Sequence, residues 1–157
     1  MSVLFVIIGI IAVLGVILIG IYNSLVGLRQ TTNQAWSDIE VQLKQRQDLV
    51  PQLVNTVKGY AAHEKGTLED VIKARNQAVS AGTVEGQAAA EGMLTQALGK
   101  LFALAEAYPE LKANENFMQL QDELSDIEDK IAAARRFYNN SVQEYNTGRE
   151  KFPAVLI

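Results

Sequence analysis

The sequence contains no cysteine and only one histidine, His63, among its 157 residues. Zinc sites built from cysteine or several histidines, iron–sulfur clusters, disulfide frameworks and catalytic thiols need residues that are missing, so these classes are excluded. Carboxylate-only metal sites and metal-free chemistry remain. An excess of positive charge is also missing, since the formal net charge is −4. Nucleic acid is therefore not an expected partner, because affinity for a phosphate backbone comes mostly from clustered lysine and arginine.

Charged side chains are absent before Arg29, and residues 3–21 form an unbroken apolar run. As a helix this run spans about 29 Å, which matches the hydrocarbon thickness of a bilayer. We predict a transmembrane anchor over residues 1–21. A cleaved signal peptide is the alternative, but no basic segment precedes the run, the run is too long, and no small-residue cleavage site follows it.

The orientation of the anchor follows from the basic residues around it. None precedes the span, Arg29 follows it closely, and Lys44 and Arg46 come further on. Because cytoplasmic flanks carry an excess of lysine and arginine, we expect a single-pass membrane protein whose folded domain is cytoplasmic.

After the span, apolar residues recur at spacings of three and four, which predicts a long packed helix. This seam comprises Tyr22, Leu25, Arg29, Thr32, Trp36, Ile39, Leu43, Arg46, Val50, Leu53, Val57 and Tyr60. The helix is expected to run without a break from about residue 3 to about residue 62, with a kink at Pro51. Asp48 is a candidate to satisfy the backbone groups freed there, and Gly66 is the expected stop.

Three further helices are expected. The second covers residues 67–81, started by a capping box of Thr67 and Asp70, with Leu68, Val71, Ile72, Ala78 and Val79 facing inward. The third runs from about residue 87 to Tyr108, before Pro109, and its Gly92 and Gly99 are expected to allow close helix contact.

The fourth helix carries the clearest apolar stripe in the chain and should reach about Gly148. Its stripe is Phe117, Leu120, Leu124, Ile127, Ile131, Ala134, Tyr138, Val142 and Tyr145. We expect Trp36, Leu43, Ile127 and Ile131 to share one core. Four amphipathic helices with short connections predict an all-α fold, an antiparallel four-helix up-and-down bundle continuous with the transmembrane helix.

Three long segments, YNSLVGLRQ, AWSDIEVQLKQRQDLVPQLVNTVKGYAAHE and YPELKANENFMQLQDELSDIEDKIAAARRFYNNSVQEYN, resemble the LemA family. The resemblance extends from Tyr22 to Asn146. It implies an N-terminal membrane anchor, an antiparallel helical bundle, and no established enzymatic activity, catalytic residue or cofactor. On this basis residues 1–21 are the anchor, 22–152 a LemA-like bundle, and 153–157 a short apolar tail, where family members often continue for a few dozen residues.

Known catalytic patterns fail on this sequence. His63 and Glu64 begin like the HExxH zinc motif, but Thr67 stands at the second histidine position. A di-iron bundle needs two Glu-x-x-His motifs, which one histidine cannot supply. The stretch 92–100 resembles a phosphate loop only loosely, because Leu101 follows its Gly-Lys pair and the stretch is helical. We expect no metal, no cofactor and no enzymatic activity.

Two arginines interrupt the apolar seam, and both are candidates for ion pairs. Arg29 and Arg46 are expected to pair with an acidic residue of the fourth helix or of a neighbouring subunit. Gly20, Ser24 and Gly27 share one helix face at the membrane exit. Because small residues let helices approach closely, this face is a candidate surface for homo-oligomerisation.

The fourth helix changes from acidic to basic along its length. Asp122, Asp126 and Asp129 lie opposite the apolar stripe and are expected to be a solvated face. The basic cluster of Arg135, Arg136, Arg149 and Lys151 is a candidate lipid surface, with Tyr138, Tyr145 and Phe152 as interfacial residues.

The sequence thus favours a membrane-anchored, non-enzymatic scaffold or adaptor that acts through self-association and contacts with other membrane proteins. The first alternative is a subunit of a large homopolymer, a filament or ring with the apolar N-terminal helices packed in its core. The second is a ligand-binding protein or enzyme that uses the bundle interior.

Overall fold

A computed structural model describes residues 1–151 of the chain. All of the regular secondary structure in this part is helical, which confirms the all-α prediction. The helices are α1 (Ser2–Lys58), α2 (Lys65–Ser80), α3 (Val84–Ala105), α4 (Pro109–Lys112) and α5 (Glu115–Glu150).

Helix α1 carries the apolar run and the following seam in one continuous helix of 57 residues. Within residues 1–151 it is the one helix long and apolar enough to cross a membrane, and the side chains of its apolar window are exposed. The helix continues through Pro51 but ends at Lys58, earlier than the expected residue 62. Gly59 follows, and the amides of Tyr60 and Ala61 both donate to the Val57 carbonyl in a tight turn.

The beginning of α2 differs from the sequence prediction. Gly66 does not stop a helix but lies inside α2, which begins at Lys65. Glu64 is the N-cap and makes no side-chain cap bond, so the capping box of Thr67 and Asp70 is wrong. Local capping signals are worth only about 1 kcal/mol, and here the burial of Ala61 and Leu68 on either side of the turn outweighs them.

The buried face of α2 is narrower than predicted. Leu68, Val71 and Ala78 are buried, but Ile72 and Val79 are 42% and 53% exposed. The reason is geometric. The buried residues, which also include Ala74, follow one another at spacings of three, three and four and so form one stripe along the helix. Ile72 and Val79 project to the side of that stripe.

Helix α3 begins at Val84, before the predicted residue 87, because the Thr83 hydroxyl caps it by accepting from the Gly86 amide at 2.9 Å. It ends at Ala105, earlier than Tyr108, and the short helix α4 that follows was not predicted. Pro109 occupies the first turn of α4, where its fixed φ suits a helix start. Gly92 and Gly99 do not mark a close helix contact, since an added Cβ would meet nothing within 4 Å at either.

Helix α5 presents the predicted stripe. Its first half is buried at Phe117, Leu120, Leu124, Ile127 and Ile131, and its second half is half-buried at Ala134, Tyr138, Val142 and Tyr145. The side-chain oxygen of Asn114 caps the helix by accepting from the Phe117 amide at 3.0 Å. The apolar period was therefore sufficient to predict which face of α5 is covered.

The chain divides into two compact units. One, which we name the anchor unit, comprises Met1–Ile39 with Ala133–Ile157, of which residues up to 151 are described. The other, the core unit, is Glu40–Ala132. Trp36 therefore lies in a different unit from Leu43, Ile127 and Ile131, and it is half-buried rather than a core residue.

The interior of the core unit is built from residues of all five helices. Its fully buried large side chains include Leu53, Val57, Val71, Leu94, Leu98, Leu101, Leu111, Phe117 and Leu124. Phe102 and Phe117 pack with their rings tilted and their centroids 6.1 Å apart, a favourable aromatic geometry.

Pro51 leaves one backbone acceptor without its helical donor, because proline has no N–H to bond the Gln47 carbonyl. That carbonyl accepts from Arg75 Nε of α2 at 3.3 Å. Asp48, the expected partner for this defect, is exposed. The bond lost at the proline is thus replaced by a bond that joins α1 to α2.

Candidate functional site: the membrane exit and a buried arginine

The membrane exit is the part of α1 that follows the apolar run. Here the covered residues are Leu25, Leu28 and Thr32, followed by the fully buried Ala35. Arg29 is exposed, and it makes no ion pair within residues 1–151. The predicted seam is correct at Leu25 and Thr32 but displaced by one residue at two positions. Leu28 is covered instead of Arg29, and Ala35 is buried more fully than Trp36.

Helix α5 lies in close contact with α1 at Gly148. A Cβ placed on Gly148 would lie 3.1 Å from Leu28 Cδ1 and 3.6 Å from Leu25 Cδ2. Further along, the rings of Trp36 and Tyr138 have their centroids 5.3 Å apart. Residue numbers rise along α5 as they fall along α1, so in the anchor unit the two helices are antiparallel and α5 ends beside the exit.

The basic residues predicted as a lipid surface fall into two groups, which differ in their distance from the membrane exit. Arg149 lies next to Gly148, with its guanidinium carbon 5.6 Å from the centre of the Tyr145 ring, within cation–π range. Lys151 follows, its amide bonded to the Thr147 carbonyl at 3.0 Å. Arg135 and Arg136 are exposed one turn before Tyr138, about 20 Å from Arg149 along the helix. Phe152 and the tail 153–157 lie outside the described residues.

The small residues at the exit are open in the single chain. Gly20, Ser24 and Gly27 are exposed, and an added Cβ on either glycine would meet nothing within 4 Å. Thr31 donates its hydroxyl to the Gly27 carbonyl at 3.0 Å.

The core unit encloses a second feature, a charged pair without access to solvent. Arg46 of α1 and Glu91 of α3 form an ion pair in which both side chains are buried, with 4% and 0% of their surfaces exposed. Arg46 Nη2 donates to Glu91 Oε2 and, at 3.0 Å, to the Glu91 carbonyl. Arg46 Nη1 donates to Thr95 Oγ1 at 2.9 Å and lies 3.8 Å from Glu128 Oε1 of α5.

Two amides complete the coordination of the Glu91 carboxylate. Gln47 Nε2 and Gln87 Nε2 donate to Glu91 Oε1 at 2.7 and 3.0 Å. A buried charge is tolerated only when it is paired and hydrogen-bonded, and this carboxylate meets both conditions. Both of its oxygens accept from protein donors and the side chain has no exposed surface, so it is not placed to take a proton from a substrate.

The main partner of Arg46 is not on the fourth helix, where the sequence predicted it. The direct partner is Glu91 of α3, and the fourth long helix contributes only the longer contact from Glu128. One sequence signal points to Glu91: it lies between Ala90 and Leu94 on the buried face of α3, where an acid needs a cationic partner. The pattern cannot supply the identity of that partner, because it is 45 residues away in the chain.

The other polar residues considered as chemical candidates are solvated. His63, Asp122, Asp126 and Asp129 are exposed. Within residues 1–151, no group of three histidine, aspartate or glutamate side chains is arranged to hold a metal ion.

Tyr108 and Glu64 form a polar contact in the connection before α4. The Tyr108 hydroxyl donates to Glu64 Oε1 at 3.2 Å. Partial burial and the nearby Glu64 carboxylate raise the pKa of Tyr108 above its ordinary value of 10.0. The phenol therefore stays protonated and keeps donating over the physiological range.

Together, the exposed apolar helix, the helix pair beside its exit and the buried ion pair define a class of all-helical proteins with one N-terminal apolar helix. The features of this class are shared by many unrelated chains, and the sequence comparison makes it specific. The profile of the LemA family matches residues 35–157, and the chain belongs to the LemA family. The resemblance noted in the sequence is thereby confirmed.

Curated relatives include the magnetosome protein MamQ of Magnetospirillum gryphiswaldense and the magnetosome proteins MamQ 1 and MamQ 2 of Paramagnetospirillum magneticum. Each is 27% identical over an alignment that covers 84% of this chain and 58% of the relative. The chain thus spans somewhat under three fifths of the length of the curated relatives it matches.

Proposed function

We propose that this protein is a single-pass membrane-anchored, non-enzymatic scaffold or adaptor that acts through self-association and contacts with other membrane proteins. The observation that carries the proposal is the continuity of α1, which leads from an exposed apolar run directly into the folded units. Family membership and the similarity to magnetosome proteins support membrane association. The Glu91 carboxylate, which is fully buried and hydrogen-bonded through both oxygens, supports the absence of catalysis.

In this proposal residues 1–21 are the anchor, 22–152 an antiparallel four-helix bundle, and 153–157 an appended tail. The antiparallel pairing of α1 with α5 in the anchor unit supports the bundle topology. Arg29, as the first charged residue after the span, supports a cytoplasmic bundle.

Insertion is tested by replacing Ile11 and Leu14 with arginine in the full chain. Each arginine at the centre of a span costs about 2.5 to 3.5 kcal/mol of insertion free energy, so the double variant should leave the carbonate-washed membrane fraction. The matched control adds two arginines at the exposed positions Asn116 and Gln119 of α5 and should remain in the membrane. Retention of the Ile11/Leu14 variant would disprove the anchor.

Self-association is proposed to use the open face of Gly20, Ser24 and Gly27. Leucine at Gly20 and Gly27 should lower the particle mass in mild detergent, because the helices can no longer approach closely. Leucine at Gly92 and Gly99, which are equally open on α3, is the control. Equal particle masses for both variants would exclude this face.

The side of the membrane is testable because the chain has no cysteine of its own. A single cysteine at the exposed Met118 should resist a membrane-impermeant maleimide in intact cells and react after lysis. Labelling in intact cells would place the bundle on the other side.

The homopolymer alternative is favoured by one observation: the apolar side chains of residues 3–19 have no cover within residues 1–151, and lipid or neighbouring copies could supply it. Filaments or rings of uniform diameter, imaged after detergent and lipid removal, would favour the homopolymer. Aggregation without order would favour the lipid-embedded anchor.

A further inference from the structure

We infer that Arg29, Arg149 and Lys151 form one contact surface for anionic phospholipid headgroups, so that the domain meets the membrane at two points. The first point is the span of α1, and the second is the end of α5. The inference rests on the proposed membrane anchor and adds a lipid class to it.

The position of this surface follows from the contact at Gly148. Leu28 lies seven residues beyond Ile21, which is about 10 Å of helix rise. Because α5 continues antiparallel to α1, Lys151 lies about 4.5 Å nearer to the apolar run than Gly148 does. Headgroups occupy roughly 5 to 7 Å outside the hydrocarbon layer, and long basic side chains extend further from the backbone. The three cations are therefore within reach of the phosphates.

The two units also differ in formal charge. The anchor unit has five basic and three acidic residues, a formal charge of +2, whereas the core unit has nine basic and fifteen acidic residues, a formal charge of −6. Arg29, Arg149 and Lys151 are exposed and make no ion pair within residues 1–151. Glu144 and Glu150 are the acidic residues in the same stretch of α5, where they balance Arg149 and Lys151, and Arg29 of α1 leaves the surface with a formal charge of +1.

Two further features fit an interfacial position. Tyr22, directly after the apolar run, is 59% exposed, and tyrosine is enriched at the level of the headgroups. An open groove of about 450 Å³ beside the contact is lined in part by Leu28, Thr147, Lys151 and the acidic Glu144, so apolar, hydroxyl and cationic side chains face the same space together with one carboxylate.

Lipid is favoured over an acidic protein partner because the surface is continuous with the span. Any protein partner would have to reach within about 10 Å of the hydrocarbon layer, where headgroups are already present. Arg135 and Arg136 are excluded from the surface, since they lie about 20 Å further along α5.

The test is amide hydrogen exchange of the full chain in nanodiscs of neutral phosphatidylcholine and in nanodiscs that also contain phosphatidylglycerol. With the anionic lipid, amides of residues 144–151 should exchange at least about fivefold more slowly, because each basic contact with an anionic surface contributes on that order. The protection should disappear in 0.5 M salt, where screening is strong.

The triple variant Arg29→Gln, Arg149→Gln, Lys151→Gln should lose the difference between the two lipids. The control, Lys130→Gln, Arg135→Gln, Arg136→Gln, removes the same charge and should keep it. Equal exchange of the wild-type protein in both lipids would overturn the inference, as would equal loss in both variants. Failure of the anchor itself is distinguishable, because the chain would then not copurify with nanodiscs of either composition.

Discussion

The anchor unit and the core unit use the same two long helices in different ways. In the core unit, α1 and α5 are covered by α2 and α3, and residues such as Leu53, Leu94 and Leu124 are fully buried. In the described part of the anchor unit only Ala35, Ile39 and Ser141 reach full burial, and most of the seam is half-buried. The difference shows that burial depends on how many helices are available to cover a stripe, and that an apolar stripe on one helix does not determine it alone.

The largest expected effect comes from breaking the buried ion pair of the core unit. Glu91→Leu leaves the Arg46 guanidinium buried without its partner and should lower the free energy of unfolding by about 3 to 5 kcal/mol. The double variant Arg46→Met, Glu91→Leu should recover most of this loss, because a buried pair contributes little net stability. Urea unfolding of the full chain in micelles, followed by circular dichroism, measures both.

The surface pair of Lys112 and Glu106 is the matched control. Its atoms are 2.8 Å apart, but the side chains are 60% and 66% exposed, so Glu106→Gln should change stability by less than about 1 kcal/mol. If the double variant in the core is as unstable as Glu91→Leu alone, charge burial is not the cause.

A second comparison truncates one large side chain in each unit. Leu94→Ala, at a fully buried site, should cost about 2 to 5 kcal/mol. Trp36→Ala, at a half-buried site, should cost less, about 1 kcal/mol for the lost contact with Tyr138. Hydrogen exchange should rise only in the anchor unit for Trp36→Ala. A larger global loss for Trp36→Ala would contradict the division into units.

A third change tests the close approach at the membrane exit. Gly148→Leu should force Leu28 aside and separate α5 from α1, and the fluorescence of Trp36, the one tryptophan of the chain, should shift to longer wavelength. Gly99→Leu, at an open site, should instead gain up to about 1 kcal/mol from helix propensity. Identical spectra for both variants would mean that Gly148 is not needed for the contact.

The smallest expected effect concerns Tyr108. Its pKa is raised in the folded protein, so the stability this group contributes is fully present below its unfolded pKa of about 10 and is lost as pH rises through the folded pKa. Tyr108→Phe should cause only a small loss of stability at pH 8, that of one hydrogen bond to Glu64, and the difference from wild type should shrink above pH 10. Tyr22→Phe, at an exposed site, should show no such trend.

The sequence predicted the fold where a period was long and clear. The α5 stripe and the continuity of α1 follow from repeated apolar spacing, which reports a buried face directly. The start of α2 was missed because Gly66 and Thr67 are weak local signals, and packing of Ala61 and Leu68 outweighs them. The displaced seam at Arg29 shows the same limit, since a period of three and four admits a neighbouring register.

The candidate sites were harder to predict from the sequence than the fold. Arg46 could be recognised as an interruption of an apolar seam, but its bonds to Glu91 and Thr95 join residues more than 40 positions apart. Gly148 was predicted only as the end of a helix, although it lies in close contact with Leu28 of α1. Long-range partners such as these depend on the three-dimensional packing of faces, which a one-dimensional period does not contain.

The charge of −6 on the core unit bears on how densely copies populate a membrane in the proposed anchored form. Anchored copies would share one plane, where like-charged units repel over a Debye length of about 10 Å at 0.1 M salt and about 30 Å at 0.01 M. Lateral spacing is therefore governed by ionic strength: dilute salt favours dispersed copies, and near-physiological salt permits crowded ones. Divalent counter-ions, which neutralise carboxylates more effectively, would compact such a two-dimensional array further.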